Sequence, residues 1–189
     1  MYKICKTEES TTRQRSVEQT LQQMLLSRQI ENISVSDLCM AAGIPRNSFY
    51  RYFDSCEDVL YALIDHTLLD INEDVFLHWN GNPNLEPSDL EHYFEIWYCK
   101  QEFLDALSKN GCLWLLIDRT EKLKDKGKDP TSLSQDFAHK QVWYILTYAI
   151  MSVILRWYKH GFPDTPQAMA KVTFELLSDS WVSMGDSFL

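Results

Sequence analysis

The five residues Ala41-Ala42-Gly43-Ile44-Pro45 constrain the fold of this 189-residue chain more than any others. Glycine enters left-handed backbone without steric cost, so Gly43 ends a helix in a tight turn. Proline drives the preceding residue, Ile44, out of helical dihedrals and then opens a new helix, where its missing amide is no loss. Before the turn, Val35, Leu38, Cys39 and Ala42 repeat at helical spacing behind Ser34-Val35-Ser36-Asp37, a capping-box pattern with aspartate in place of glutamate. After it, Phe49 and Phe53 stand four residues apart and face inward, while Cys39 supplies a small residue where two helices cross. Two short helices joined by a tight glycine turn have helix-turn-helix spacing.

The rest of the chain also reads as helix, so the expected fold class is all-α. Val17, Leu21, Met24 and Leu25 mark one apolar face near the start. Leu60, Leu63, Ile64, Leu68, Ile71 and Val75 predict a longer helix over 57–79. NGNPNLEPS (80–88) is the clearest break, and Ser88-Asp89-Leu90-Glu91 reads as a capping box for a helix burying Leu90, Tyr93, Phe94 and Trp97. Asn110-Gly111 punctuates the next pieces, and KLKDKGKDPTS (122–132) reads as a solvated loop. QVWYILTYAIMSVIL (141–155) carries no charge for fifteen residues. That is short of the ~20 residues of a membrane span, and an all-round apolar helix in a chain this size calls for a subunit interface. Gly161 stops it. Thr165-Pro166 then reads as a cap and first residue of a last helix with Met169, Val172, Leu176, Leu177 and Trp181 on its apolar face.

Several function classes fall away. There is no phosphate loop, GxSxG or HExxH, so no enzyme is expected. His66, His78, His92, His139 and His160 include no i,i+4 pair, and the five cysteines (5, 39, 56, 99 and 112) form no CxxC, so neither a metal site nor a cofactor is expected. The scattered cysteines and the absence of a signal-peptide pattern suit a reducing cytoplasm. Net charge is −9, which by itself opposes phosphate binding. The acid is uneven: residues 1–66 carry 7 basic and 9 acidic side chains, residues 67–189 carry 11 and 18. Nucleic-acid binding must therefore rest on local arrangement in the first part. There, Arg46, Asn47, Tyr50 and Arg51 share the face opposite Phe49 and Phe53, flanked by Ser48 and Tyr52. That face is polar, aromatic and positive, as a major groove requires.

ISVSDLCMAAGIPRNSFYRYFDSCEDVL resembles the DNA-binding domain of the TetR-type bacterial transcriptional regulators. Its counterparts are Ser34, the Ala42-Gly43 turn and the aromatic segment Phe49-Tyr50-Arg51-Tyr52-Phe53. The likeness is specific over residues 12–65; RWYKHGFPDTPQAMA (156–170) is also similar to a helix junction in some of these regulators. The resemblance implies a three-helix DNA reader over 1–56 and a helical dimerisation and effector domain over 57–189. It implies a homodimer on palindromic double-stranded DNA, with Ser34, Arg46, Asn47, Ser48, Tyr50 and Tyr52 touching it. Arg46 and Asn47 suit base edges; Ser34, Tyr50 and Tyr52 suit phosphates. Two positions depart from the family: Pro45 where a polar cap is usual, and Cys56 where a lysine is usual. Lys3, Lys6, Arg13 and Arg15 are the cations placed to compensate. A thiol at Cys56, in a helix's first turn, would be activated by the helix and opposed by Asp54, Glu57 and Asp58. Tyr93, Phe94, Trp97, Trp114, Trp143 and Tyr144 are candidates to line an apolar small-molecule effector cavity between the helices of 89–123 and the start of 135–155. The rival reading is a protein-interaction co-regulator that keeps the fold without reading DNA.

Overall fold

Helix α1 (Glu8–Leu25) starts at Thr7, whose side-chain oxygen accepts from the Ser10 amide. Val17, Leu21 and Leu25 of its expected face are buried. A single 3-10 turn (Ile30–Asn32) leads to α2 (Val35–Ala41), α3 (Arg46–Phe49), α4 (Cys56–Trp79), α5 (Pro87–Cys99), α6 (Gln101–Lys109), α7 (Trp114–Asp125), α8 (Phe137–Lys159) and α9 (Pro166–Gly185). The computed structural model describes residues 2, 3, 5, 7–79, 86–125 and 137–185, with side chains at all of these except 76, 79, 124, 125, 137–147 and 177–185. Among the described residues there is no strand, so the fold class is all-α. Nor, among them, is any helix long and apolar enough to cross a membrane.

The helices form two compact units. The first is Met1–Leu69 with Glu102–Lys126, and the second is Asp70–Gln101 with Gly127–Leu189. Helix α4 runs from one into the other. The division by packing thus falls along a different line from the functional boundary expected after residue 56, because α6 and α7 return to pack with the first helices. Asn110, at the end of α6, makes that return specific. Its Oδ1 accepts from the Ile30 amide at 2.8 Å, and its Nδ2 donates to the Leu25 and Ala106 carbonyls at 3.1 and 2.9 Å.

Three local readings are corrected. The cap of helix α5 lies two residues earlier than Ser88. It is Glu86, whose amide donates to Asp89 Oδ2 at 2.8 Å, with Pro87 in the first position. Residues 122–125 continue α7 rather than opening a loop, because Leu115, Leu116 and Leu123 share a buried face; residues 126–132 of that segment lie outside the described residues. Pro45 does not open the short helix after the turn but stands just before it in extended backbone, the helix running over Arg46–Phe49. In the second unit, α5 packs chiefly on α9. Gly161 (φ +75°) ends α8 and Phe162 follows at φ +53°, which turns its ring onto Trp157 at 4.5 Å and Tyr98 at 5.2 Å. As expected, Thr165 caps α9, its Oγ1 accepting from the Ala168 amide at 3.2 Å.

Candidate nucleic-acid interface

The glycine turn is closed by two backbone bonds. Gly43 (φ +66°) donates to Met40 O at 3.3 Å and Ile44 donates to Cys39 O at 3.0 Å. These pair the last carbonyls of α2 and fix the direction of the chain into α3. Pro45 sits outside α3 in extended backbone, and no side chain caps the helix there. Its carbonyl accepts from Ser48 and Phe49 at 2.9 and 3.1 Å. After Phe49 the spiral tightens: Arg51 and Tyr52 bond three residues back, to Ser48 and Phe49, before Phe53 returns to a four-residue spacing on Phe49. Phe49 and Phe53 are both fully buried, their rings 5.5 Å apart. The buried aromatic pair anchors the segment, and α3 packs on α2 although the regular helix is brief.

With the phenylalanines inside, Arg46, Asn47, Tyr50 and Arg51 are exposed on the outer face, while Ser48 and Tyr52 are half-buried beside them. Arg46 Nη2 donates to Tyr50 Oη at 3.3 Å, linking two neighbours on that face. Ser34 is exposed, but its hydroxyl is already engaged: it donates to Asp37 Oδ2 at 2.7 Å and accepts from the Asp37 amide at 3.1 Å. The same bonds, with the Ser34 amide, hold the Asp37 carboxyl below its ordinary range. A phosphate approaching Ser34 meets that carboxylate.

Cys56 is neither a surface replacement nor an activated thiol. It is buried, and burial, with Glu57 adding to it, pushes its pKa up to about 11. At neutral pH it is a protonated core residue and not a reactive one. Arg13 is paired with Glu9 at 2.6 Å, and Arg15 lies 3.9 Å from the buried Glu18. Lys6 lies outside the described residues.

The aromatic residues expected around an effector are distributed over both units. Phe94 and Trp97 are fully buried and Tyr93 half-buried, all in the second unit, whereas Trp114 belongs to the first unit and is 61% exposed. The side chains of Trp143 and Tyr144 lie outside the described residues. Trp97 carries one anomaly: among the described residues its buried indole N–H has no hydrogen-bond partner. His78 and His92, far apart in sequence, stack at 4.2 Å, and His92 Nε2 lies 2.7 Å from Asp74 Oδ1. Stacked rings direct their nitrogens along parallel planes. Among the described residues, no three His, Cys, Asp or Glu side chains converge on a metal ion.

Sequence reasoning missed the polar centre of the first unit. Arg119 of α7 donates through Nε to Asp65 Oδ1 at 2.6 Å and through Nη2 to Oδ2, its guanidinium 5.1 Å above the Tyr61 ring. Tyr2 Oη donates to Asp65 Oδ2 at 2.6 Å. The signal was present as an anomaly: a carboxylate at 65 directly after the buried run Leu63-Ile64, on a helix whose neighbours are core.

No protein-family profile matches the chain. A segment of 53 residues is 45% identical to the HTH-type transcriptional regulator EthR of Mycolicibacterium smegmatis, covering 28% of this chain and 24% of that protein. EthR of Mycobacterium tuberculosis matches at 45% over 49 residues, or 26% and 23%. The chain thus spans about a quarter of the length of the curated relatives it matches. Among solved structures, a TetR-family regulator from Syntrophomonas wolfei aligns with TM-score 0.61 at 14% identity, over 88% of this chain and 93% of its own. The dihydroxyacetone kinase operon activator DhaS aligns with TM-score 0.60 at 19% identity, over 90% and 96%. The TetR-family repressor AlkX of a Dietzia strain aligns with TM-score 0.56 at 17% identity, over 86% and 92%. At such identities these structures establish fold. The helical fold is shared with solved structures of TetR-family regulators.

Proposed function

We propose that the chain is a dimeric, cytoplasmic, non-catalytic transcriptional regulator that reads a palindromic DNA operator, with 1–56 as reader and 57–189 serving dimerisation and effector binding. The observation that carries this is the outer face of α3. Arg46 and Asn47 stand exposed in its first turn, on a segment whose orientation is fixed by the glycine turn and the buried Phe49–Phe53 pair. A helix in the major groove presents its first turn to base edges. Repression follows if the operator overlaps a promoter. The test is selection from a random duplex pool at low salt: a regulator enriches an inverted repeat with half-sites one DNA turn, about 34 Å, apart. Enrichment of nothing, with no retention on heparin, favours the interaction-module rival.

The dimer is supported by α8 and α9. Met151, Ile154 and Trp157 turn one face of α8 into the unit, leaving Ala149 and Ser152 exposed. On α9, Val172 and Leu176, four residues apart, are 54% and 65% exposed. Two such helices from each protomer would form a four-helix interface, which a twofold axis uses twice. Leu176→Glu or Ala149→Glu is therefore expected to give monomer or aggregate in sedimentation, where the unaltered protein is a dimer at micromolar concentration. A monomeric unaltered protein removes this reading.

An effector role is supported by the orphan N–H of Trp97. Leaving a buried donor unpaired costs about 1–3 kcal/mol, which a ligand carrying an acceptor would recover. Such a ligand must bind two states unequally to shift α4 and the spacing of the recognition segments. In a melting-temperature screen of apolar carbonyl compounds, a hit is expected to stabilise the unaltered protein and lose its effect in Trp97→Phe. A screen without hits argues for Trp97 as plain core.

A further inference from the structure

The segment holding Tyr2, Lys3 and Cys5 is bound to the first unit at four points. Tyr2 Oη donates to Asp65, which Arg119 also holds. The Lys3 amide donates to Tyr52 O at 2.9 Å. Gln14, buried on α1, donates through Nε2 to Lys3 O at 3.2 Å and accepts from Cys5 Sγ at 2.9 Å. Finally, Lys3 Nζ donates to Tyr50 O at 2.8 Å and lies 3.9 Å from Asp54 Oδ1.

We infer that Lys3 is a DNA-phosphate contact, strapped beside the reading segment by these bonds, and that it supplies the cation absent at position 56. This rests on the DNA-binding reading above. An ammonium has three donors. The Tyr50 carbonyl takes one, and Lys3 is 54% exposed, so donors remain for solvent or phosphate. Its hydrogen bonds reach the backbone carbonyls of Tyr50 and Tyr52, two residues whose side chains suit phosphates by their chemistry. Lys3 also lies beside Asp54, partly offsetting a carboxylate at this end of the segment. Arg13 is closely paired with Glu9 at 2.6 Å, and Arg15 is less exposed than Lys3. The backbone bonds from Tyr52 and Gln14 place the lysine before DNA arrives, so little side-chain freedom remains to be lost on binding.

The experiment measures binding to a mixed-sequence duplex across salt concentrations, by fluorescence anisotropy, with melting temperature recorded for each variant. Each phosphate neutralised adds about 0.9 to the slope of log affinity against log salt. Lys3→Gln and Lys3→Met are expected to flatten the slope by about 0.9 per protomer, and Lys3→Arg to restore it. Tyr2→Phe keeps the charge but loosens the strap, so it should weaken binding at unchanged slope. If Lys3→Gln and Lys3→Met lower only the melting temperature and leave the slope intact, Lys3 is purely structural and the inference fails alone. If the unaltered protein does not bind duplex DNA at low salt, the inference fails together with the reading it rests on.

Discussion

Replacing Arg46 with alanine is expected to weaken binding to a selected operator by about 2–6 kcal/mol. A bidentate arginine–guanine contact discriminates by about 1–3 kcal/mol, and a twofold dimer uses it twice. Folding should not change, because Arg46 is exposed and opposite the buried phenylalanines. Competition between operator and mixed DNA checks the prediction; equal operator affinity in Arg46→Ala would show that Arg46 reads no base. The structure also alters the effect expected of Tyr50→Phe. A hydroxyl that only positions a phosphate would, once lost, weaken all sequences alike. Since Tyr50 Oη also holds Arg46 Nη2, its removal frees the guanidinium and should erode discrimination as well.

The second large effect concerns stability. Asp65 is fully buried, and Arg119 nearly so. Breaking such a pair strands a charge and costs about 3–5 kcal/mol, whereas replacing both members with apolar residues of similar volume is often neutral. Arg119→Met is therefore expected to lower the melting temperature by roughly 6–20 °C, at 2–4 °C per kcal/mol for a chain of this size. Asp65→Leu/Arg119→Met should recover most of that loss. Calorimetry on the three proteins checks it; Arg119→Met as stable as the unaltered chain would show the pair to be dispensable.

Local chemistry made much of this fold legible. Gly43 and Pro45 set the turn because their backbone limits hold in any context, and Phe49 and Phe53 announce the buried side of the recognition segment. Thr165-Pro166 likewise marks a helix start that needs no partner. The features that stayed hidden depend on the assembled chain. Asp65 meets Arg119 across 54 residues and Tyr2 across 63, distances over which spacing carries no signal. Cys56 reads as a surface position by likeness and is core by packing. The second helix was expected to be short, but its end at Phe49, with three-residue bonds following, was not visible. The aromatic residues were ambiguous for the opposite reason: Phe94, Trp97 and Trp114 have similar chemistry and ended in different environments.

Asn110-Gly111 has one more consequence, on the scale of the protein's lifetime. An asparagine before glycine is chemically labile, since its side-chain carbonyl is open to attack by the next backbone nitrogen, closing a succinimide that hydrolyses to aspartate or isoaspartate. Here the amide is held by Ile30, Leu25 and Ala106, and the Gly111 N–H is engaged with Ser108 O at 3.1 Å. The folded seam between α1 and α6 keeps both reactants apart. Each local opening exposes them, and a carboxylate formed there could no longer donate to the two carbonyls. The seam would then not close as before, which makes a reversible fluctuation into permanent damage. The same side chain that fastens α6 to the end of α1 thus sets how slowly the molecule ages.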